Sequence, residues 1–133
     1  MSCIFCEIAN NNIPSYKIYE DDICLAFLDL SQATLGHTLV VPKKHFKNIF
    51  DLDEETAAHL FKVVTKLSKQ ICLTLGANDV NILNNSGEIA GQTVMHFHIH
   101  IIPRYQNDNM EFKFASNKLT NDEFKSLCEK IKG

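Results

Sequence analysis

The sequence predicts an α+β fold: a mainly antiparallel sheet, one long helix and a C-terminal helix, in a single domain spanning residues 1–133. Three observations carry this reading. Leu60, Val64, Leu67, Ile71 and Leu75 recur at spacings of four, three, four and four, which is one stripe of a helix. Several short apolar runs are bounded by turn residues, as strands are. The helical pattern does not alternate regularly with the strands, so repeated βαβ units are disfavoured.

In chain order, Tyr16 and Ile18 and then Cys24 to Leu28 read as two short strands around the acidic turn Glu20-Asp21-Asp22. Gly36 punctuates the chain, and Thr38 to Val41 is a buried strand ending at Pro42. Asp53 is placed to cap the long helix, with Glu54 and Glu55 facing the helix dipole and Gly76 closing it. Val80 to Leu83 is a strand, Asn84 to Thr93 a polar loop, and Val94 to Ile102 a strand stopped by Pro103. Thr120 and Glu123 form a capping box that opens a last helix running to about Ile131. Asn107 to Lys118 has no period.

Composition bounds the function. With 13 basic and 16 acidic residues the formal charge is −3, which disfavours a protein that coats long nucleic acid. No apolar run reaches the length of a membrane span, and the start lacks the pattern of a secretory signal. The expectation is a cytoplasmic protein with no membrane partner. Five cysteines, an odd number, argue against a disulfide framework and for a reducing compartment. For 15.1 kDa the compact folded surface should be roughly 7,100 Å², about a third of the extended chain's.

The chemistry concentrates in Met95-His96-Phe97-His98-Ile99-His100-Ile101-Ile102. On a strand, period two puts His96, His98 and His100 on one face. Such histidines either ligate a catalytic metal or supply a nucleophile with orienting neighbours. The preceding loop is rich in small residues and neutral donors, which suits phosphate oxygens, and Glu88 is its only carboxylate. Cys3 and Cys6 read as half of a tetrahedral zinc site that needs two histidines, and spacing does not choose among six.

His96-Phe97-His98-Ile99-His100-Ile101-Ile102 resembles the signature of the histidine triad (HIT) family of nucleotide-binding hydrolases and transferases. Ile4-Phe5, Ile13-Pro14, Leu25 to Asp29, Gly36 to His45 and Gly91-Gln92-Thr93 resemble the family as well, in its order, and Cys3 with Cys6 resembles its small bacterial-type members. The resemblance implies that His98 is the nucleophile toward the α-phosphorus of a purine nucleotide derivative, either a nucleoside phosphoramidate or a dinucleoside polyphosphate. His100, with His96, would complete the catalytic triad, His100 supporting the phosphate and the leaving group. Asn85, Gly91, Gln92 and Thr93 would bind the phosphate and Asp29 the ribose. Phe5, Ile13, Phe27 and Leu30 would form the slot for the base. His37 would line the edge of the site, in a role the resemblance leaves open. It also implies a structural zinc held by Cys3, Cys6, His45 and His96, and a homodimer, for which Phe61, Val63 and Ile71 offer extra apolar surface on the long helix. Two rival readings stand beside it: a zinc-dependent hydrolase with the triad as ligands, and a nucleotide-binding regulatory protein with negligible turnover.

Overall fold

The computed structural model describes residues 3–133. Strands β1 (Lys17–Glu20), β2 (Cys24–Leu28), β3 (Thr38–Pro42), β4 (Asp79–Leu83) and β5 (Ile99–Arg104) form one antiparallel sheet in the order β1-β2-β3-β5-β4. Helices α1 (Ile4–Ala9), α2 (Glu54–Leu75) and α3 (Asn121–Lys132) complete the fold, with a 3₁₀ turn at Glu88–Ala90. No described helix is long and apolar enough to cross a membrane.

Alternation along the strands sorts the core into two layers. Cys24, Ala26, Val40, Ile99 and Ile101 pack against α2 through Leu60, Val63, Val64, Leu67 and Ile71. Leu25, Phe27, Leu39 and Val41 pack on the other face against Phe5 and Ile8 of α1. Each fully buried aliphatic side chain contributes about 2 kcal/mol to this packing. α2 begins as its sequence predicts: the Asp53 carboxylate accepts from Thr56 N–H at 2.7 Å, and Gly76 ends the helix at φ 74°. Gly36, at φ 95°, leaves no room for a Cβ, which would lie 2.5 Å from Leu75 Cδ1.

The β1–β2 turn is built on Asp21. Its carboxylate accepts from Ile23 N–H, Cys24 N–H, Tyr19 Oη–H and His59 Nε2 of α2. Burial alone would raise this carboxyl, but these donors hold it well below the usual carboxylate range.

Four expectations are corrected. The triad strand starts at Ile99 rather than Val94 and continues through Pro103 to Arg104. Pro103 does not stop it: its carbonyl accepts from Thr34 Oγ–H, ahead of the start of β3, so on that side no strand asks for the missing N–H. Val63 and Ile71 are core residues, not spare dimer surface, whereas Phe61 and Leu75 are exposed. The expected compact surface also fails. The chain exposes 9341 Å². After β5, residues 105–120 form no helix or strand, and α3, though opened by the foreseen capping box, buries no residue.

Candidate active site

A cleft of about 710 Å³ opens on the α1 face of the sheet. Phe5 and Phe27 form its buried floor, with ring centroids 5.5 Å apart in an edge-to-face contact. Ile13 and Leu30 stand at the rim, Leu30 85% exposed, so the expected apolar slot has a dry floor and an open lip. Asp29, Asn85, Gly91, Thr93, His98 and His100 bring polar groups to the same cleft. Phe5 also lies edge-on to His98 at 5.1 Å, which packs that ring in place.

The three histidines are separated by their hydrogen bonds. A carbonyl can only accept, so the 2.7 Å contact from His98 Nδ1 to His96 O puts the proton on Nδ1. His98 Nε2 is therefore left with its lone pair. The 2.8 Å contact of His96 Nε2 with Pro42 O protonates that nitrogen and leaves Nδ1 free. His37 Nδ1 accepts from Ala33 N–H at 3.1 Å, so His37 carries its proton on Nε2 and donates to His100 Nδ1 at 2.8 Å. His100 then carries its own proton on Nε2. One ring offers a nucleophile, its neighbour a donor, and their centroids are 5.0 Å apart.

Burial reinforces the neutral forms. It pushes His98 below its ordinary pKa, with the His96 carbonyl and Asp29 opposing. It lowers His100 to about 4, helped by the nearby His98 and His37. His37 is lowered by burial and partly restored by Asp29, 3.6 Å away. A neutral imidazole is what a nucleophile requires.

Because Val94 to His98 lies outside the strand, other bonds hold it. Phe97 N–H donates to Phe46 O at 2.7 Å, and Asn84 Nδ2–H donates to His98 O at 2.9 Å. Gln92 belongs to this scaffold and not to the cleft lining. Its Oε1 accepts from Gly87 N–H, and its Nε2 donates to Lys47 O and Val94 O. With both ends engaged and the residue buried, it braces the loop between Gly87 and Val94. Gly91, at φ 96°, closes the 3₁₀ turn that brings Asn85 and Thr93 to the cleft.

His96 does not face the cleft. Its Nδ1 lies 3.3 Å from Cys3 Sγ, 3.5 Å from Cys6 Sγ and 3.1 Å from His45 Nδ1, and Cys6 Sγ is 3.4 Å from His45 Nδ1. All four donor atoms lie within 4.8 Å of one another. The edges of a tetrahedral zinc site with two thiolates and two imidazoles are roughly 3.3–3.8 Å. The donor set fits that ion, and Pro42 O supplies the outer hydrogen bond that orients a ligating imidazole. Burial and the adjacent Cys3 raise the Cys6 thiol to about 11, a cost that a bound cation reverses. Two other groups of potential ligands occur among the described residues: Asp21 with Cys24 and His59, and Asp29 with His37 and His100. None of the three groups contains two histidines of the triad.

The HIT domain matches residues 10–107. The adenosine 5'-monophosphoramidase of Schizosaccharomyces pombe is 39% identical over 132 residues, covering 98% of this chain and 96% of its own. A solved Streptococcus mutans protein superposes with a TM-score of 0.95 at 42% identity, over 98% of this chain and 83% of that one. The chain belongs to the HIT family. A zinc-bound HIT protein of Mycobacterium smegmatis also superposes, with a TM-score of 0.80 at 38% identity, over 88% and 85% of the two chains.

In this HIT protein, sequence reasoning missed part of the site. α1 was not foreseen, yet its Ile4, Phe5 and Ile8 wall the cleft, with Tyr16 from the following segment. Phe5 and Ile8, three apart, were a signal, but six residues are too few to establish a period. Asn84 and Ala33 act through one hydrogen bond each, which no spacing rule reveals.

Proposed function

We propose that this HIT protein is a hydrolase and nucleotidyl transferase acting at the α-phosphate of purine nucleotide derivatives, nucleoside phosphoramidates or dinucleoside polyphosphates. The observation that carries the proposal is the His98 Nδ1–H bond to His96 O, which leaves Nε2 basic and aimed at the cleft. Nε2 attacks the α-phosphorus and the bond to the leaving group breaks, giving a nucleotidyl-histidine. His100 Nε2–H supports the phosphate oxygens and the departing group. Water then attacks phosphorus, the P–N bond to His98 breaks, and the nucleoside monophosphate leaves. Asp29 takes the ribose hydroxyls, Asn85 and Thr93 the phosphate oxygens, and Phe5, Phe27, Ile13 and Leu30 the base. Positions fixed before reaction make such stabilisation effective.

Cys3, Cys6, His45 and His96 would hold a structural zinc. When bound, the ion ties α1 to the segment before β5 and takes no part in the reaction. The zinc-hydrolase reading loses support because the triad rings do not converge on one point. Five unpaired cysteines suit the cytoplasm. The open edge of β4, carrying Val80 and Ile82, suits pairing with a second copy.

The test is to quench the enzyme during turnover of adenosine phosphoramidate and seek an adenylyl group on His98 by mass spectrometry. His98→Ala should lose about a thousandfold in turnover, roughly 4 kcal/mol of barrier, with little change in nucleotide affinity. Near-normal turnover in that variant would overturn the mechanism. A nucleotide bound tightly with no adduct and no turnover would favour the regulatory reading.

A further inference from the structure

We propose that Asp21, Cys24 and His59 form a second metal site, which takes an exchangeable divalent cation of the zinc class on the α2 side of the sheet. The cleft opens on the opposite, α1 face, so the proposal goes beyond the hydrolase reading and does not depend on it.

The fold brings the three ligands together from two elements. Asp21 lies in the β1–β2 turn, Cys24 opens β2, and His59 stands on α2. Asp21 Oδ2 is 2.7 Å from His59 Nε2 and 3.7 Å from Cys24 Sγ. All three donor atoms lie within 4.8 Å of one another. The edges of a tetrahedral zinc site with one oxygen, one nitrogen and one sulfur are roughly 3.3–3.5 Å. Only the edge between Asp21 and His59 has to open, and the His59 side chain, 27% exposed on its helix, has room to move.

The Asp21 carboxylate divides its work between its oxygens. Oδ1 accepts from Ile23 N–H and Cys24 N–H, which fixes the plane of the group. Oδ2 accepts only from side chains, including Tyr19 Oη–H at 2.8 Å. When His59 turns its Nε2 lone pair to the ion, the ring proton moves to Nδ1 and the Cys24 thiol proton leaves to solvent. Tyr19 Oη–H then remains as the outer hydrogen bond that orients a ligating carboxylate. Among the described residues no lysine or arginine pairs with Asp21, and the nearby Lys43 is held by Glu20 at 2.9 Å. One carboxylate and one thiolate balance a divalent charge. Sulfur and imidazole nitrogen select a zinc-class ion over magnesium or calcium, which take oxygen ligands.

The site is reachable. Cys24 is fully buried, but Asp21 and His59 stay partly exposed, and His59 lines a cavity of about 530 Å³ with Lys43 and Thr56. An ion bound first by Asp21 and His59 comes within reach of Cys24 Sγ, and water fills its fourth position. Three protein ligands and a water hold an ion more loosely than the four ligands around His96, so this ion leaves on dialysis against metal-free buffer. When bound, it ties α2 to the β1–β2 turn.

The test titrates cobalt(II), a spectroscopic substitute for zinc, into the full chain carrying Cys3→Ser/Cys6→Ser, which lacks the thiolates of the four-ligand cluster. The expected result is a sulfur-to-cobalt charge-transfer band that saturates at one ion per chain and is displaced by zinc. Adding Cys24→Ala should abolish the band. Adding His59→Gln should weaken binding by at least about tenfold, as the loss of even an outer partner of a metal ligand does. Adding Cys72→Ser/Cys128→Ser should leave the band unchanged. A second measurement uses the wild-type chain, whose four-ligand cluster is intact. Its zinc content at equilibrium with free zinc should exceed the content after metal-free dialysis by one ion per chain, and His59→Gln should remove that difference. Cobalt bound without a sulfur band, a band that survives Cys24→Ala, or equal exchangeable zinc in the wild-type and His59→Gln chains would each overturn the proposal.

Discussion

His37 Nε2 lies 2.8 Å from His100 Nδ1, and the backbone N–H of Ala33 decides which of the two gives the proton. That N–H occupies His37 Nδ1, so the proton sits on His37 Nε2, and His100 is left to present Nε2–H to the cleft. His37→Ala removes the donor and frees the His100 ring to adopt its other tautomer. Turnover should fall roughly ten- to a hundredfold, with nucleotide affinity changed less than threefold, about the scale of a lost orienting or general-acid contact. His37→Gln keeps an N–H donor and should recover part of the loss. Equal losses in the two variants, measured as kcat and KM separately, would remove the relay.

The depressed pKa values of His98 and His100 predict the pH profile. Both groups favour the neutral form in the fold, His100 down to about 4. Free histidine titrates near 6.5, so below that pH the unfolded chain binds more protons than the folded one. Their contribution to stability is therefore complete above pH 6.5 and is lost as pH falls toward 4. The acid limb of kcat/KM for the free enzyme should lie clearly below 6.5, because His98 stays unprotonated there. A limb at or above 6.5, in assays on protein shown to be folded by circular dichroism, would contradict the buried neutral site.

Most of the fold was legible because most elements carry their own signals. The Leu60 to Ile71 stripe, the Asp53 cap and Gly76 fix α2 without help from elsewhere. The Thr120–Glu123 box does the same for α3. The triad segment misled because alternation of apolar and polar residues also describes an extended chain off the sheet. His96 and His98 are held by Pro42, Phe46, Phe5 and Asn84, partners far away in sequence. The partners of Gln92 were hidden for the same reason: no spacing shows that its amide meets three backbone groups, Gly87 N–H, Lys47 O and Val94 O. Leu75, last in the predicted stripe, is half exposed.

Asp29 gives a prediction about substrate. Its Oδ1 accepts from Ser31 N–H at 2.8 Å, which holds the carboxylate at the cleft wall. Ribose hydroxyls would donate to the remaining lone pairs. A hydrogen bond to a charged group is worth about 1.5–3 kcal/mol, so 2'-deoxy-AMP should bind roughly ten- to a hundredfold more weakly than AMP. Calorimetry on the wild-type protein is the check. Equal affinities would take Asp29 out of the ribose site.

The four-ligand cluster separates stability from chemistry. Cys3 and Cys6 flank the start of α1, while His45 and His96 come from the chain after β3 and the segment before β5. A cation held there joins the N-terminus to the segment that carries His98, and the thiolates make its affinity fall as pH falls. Elemental analysis should find about one zinc per chain, lost in the double variant Cys3→Ser/Cys6→Ser. A loss of about 3 kcal/mol would lower Tm by roughly 10 °C. Activity should survive, because His96 keeps its bond to Pro42 O, Phe97 keeps its bond to Phe46 O, and the carbonyl that orients His98 stays in place. If the double variant stayed folded, lacked zinc and lost all turnover, the metal would belong to the reaction. Unchanged melting in zinc-free protein would instead show that the N-terminal tie contributes nothing to the fold.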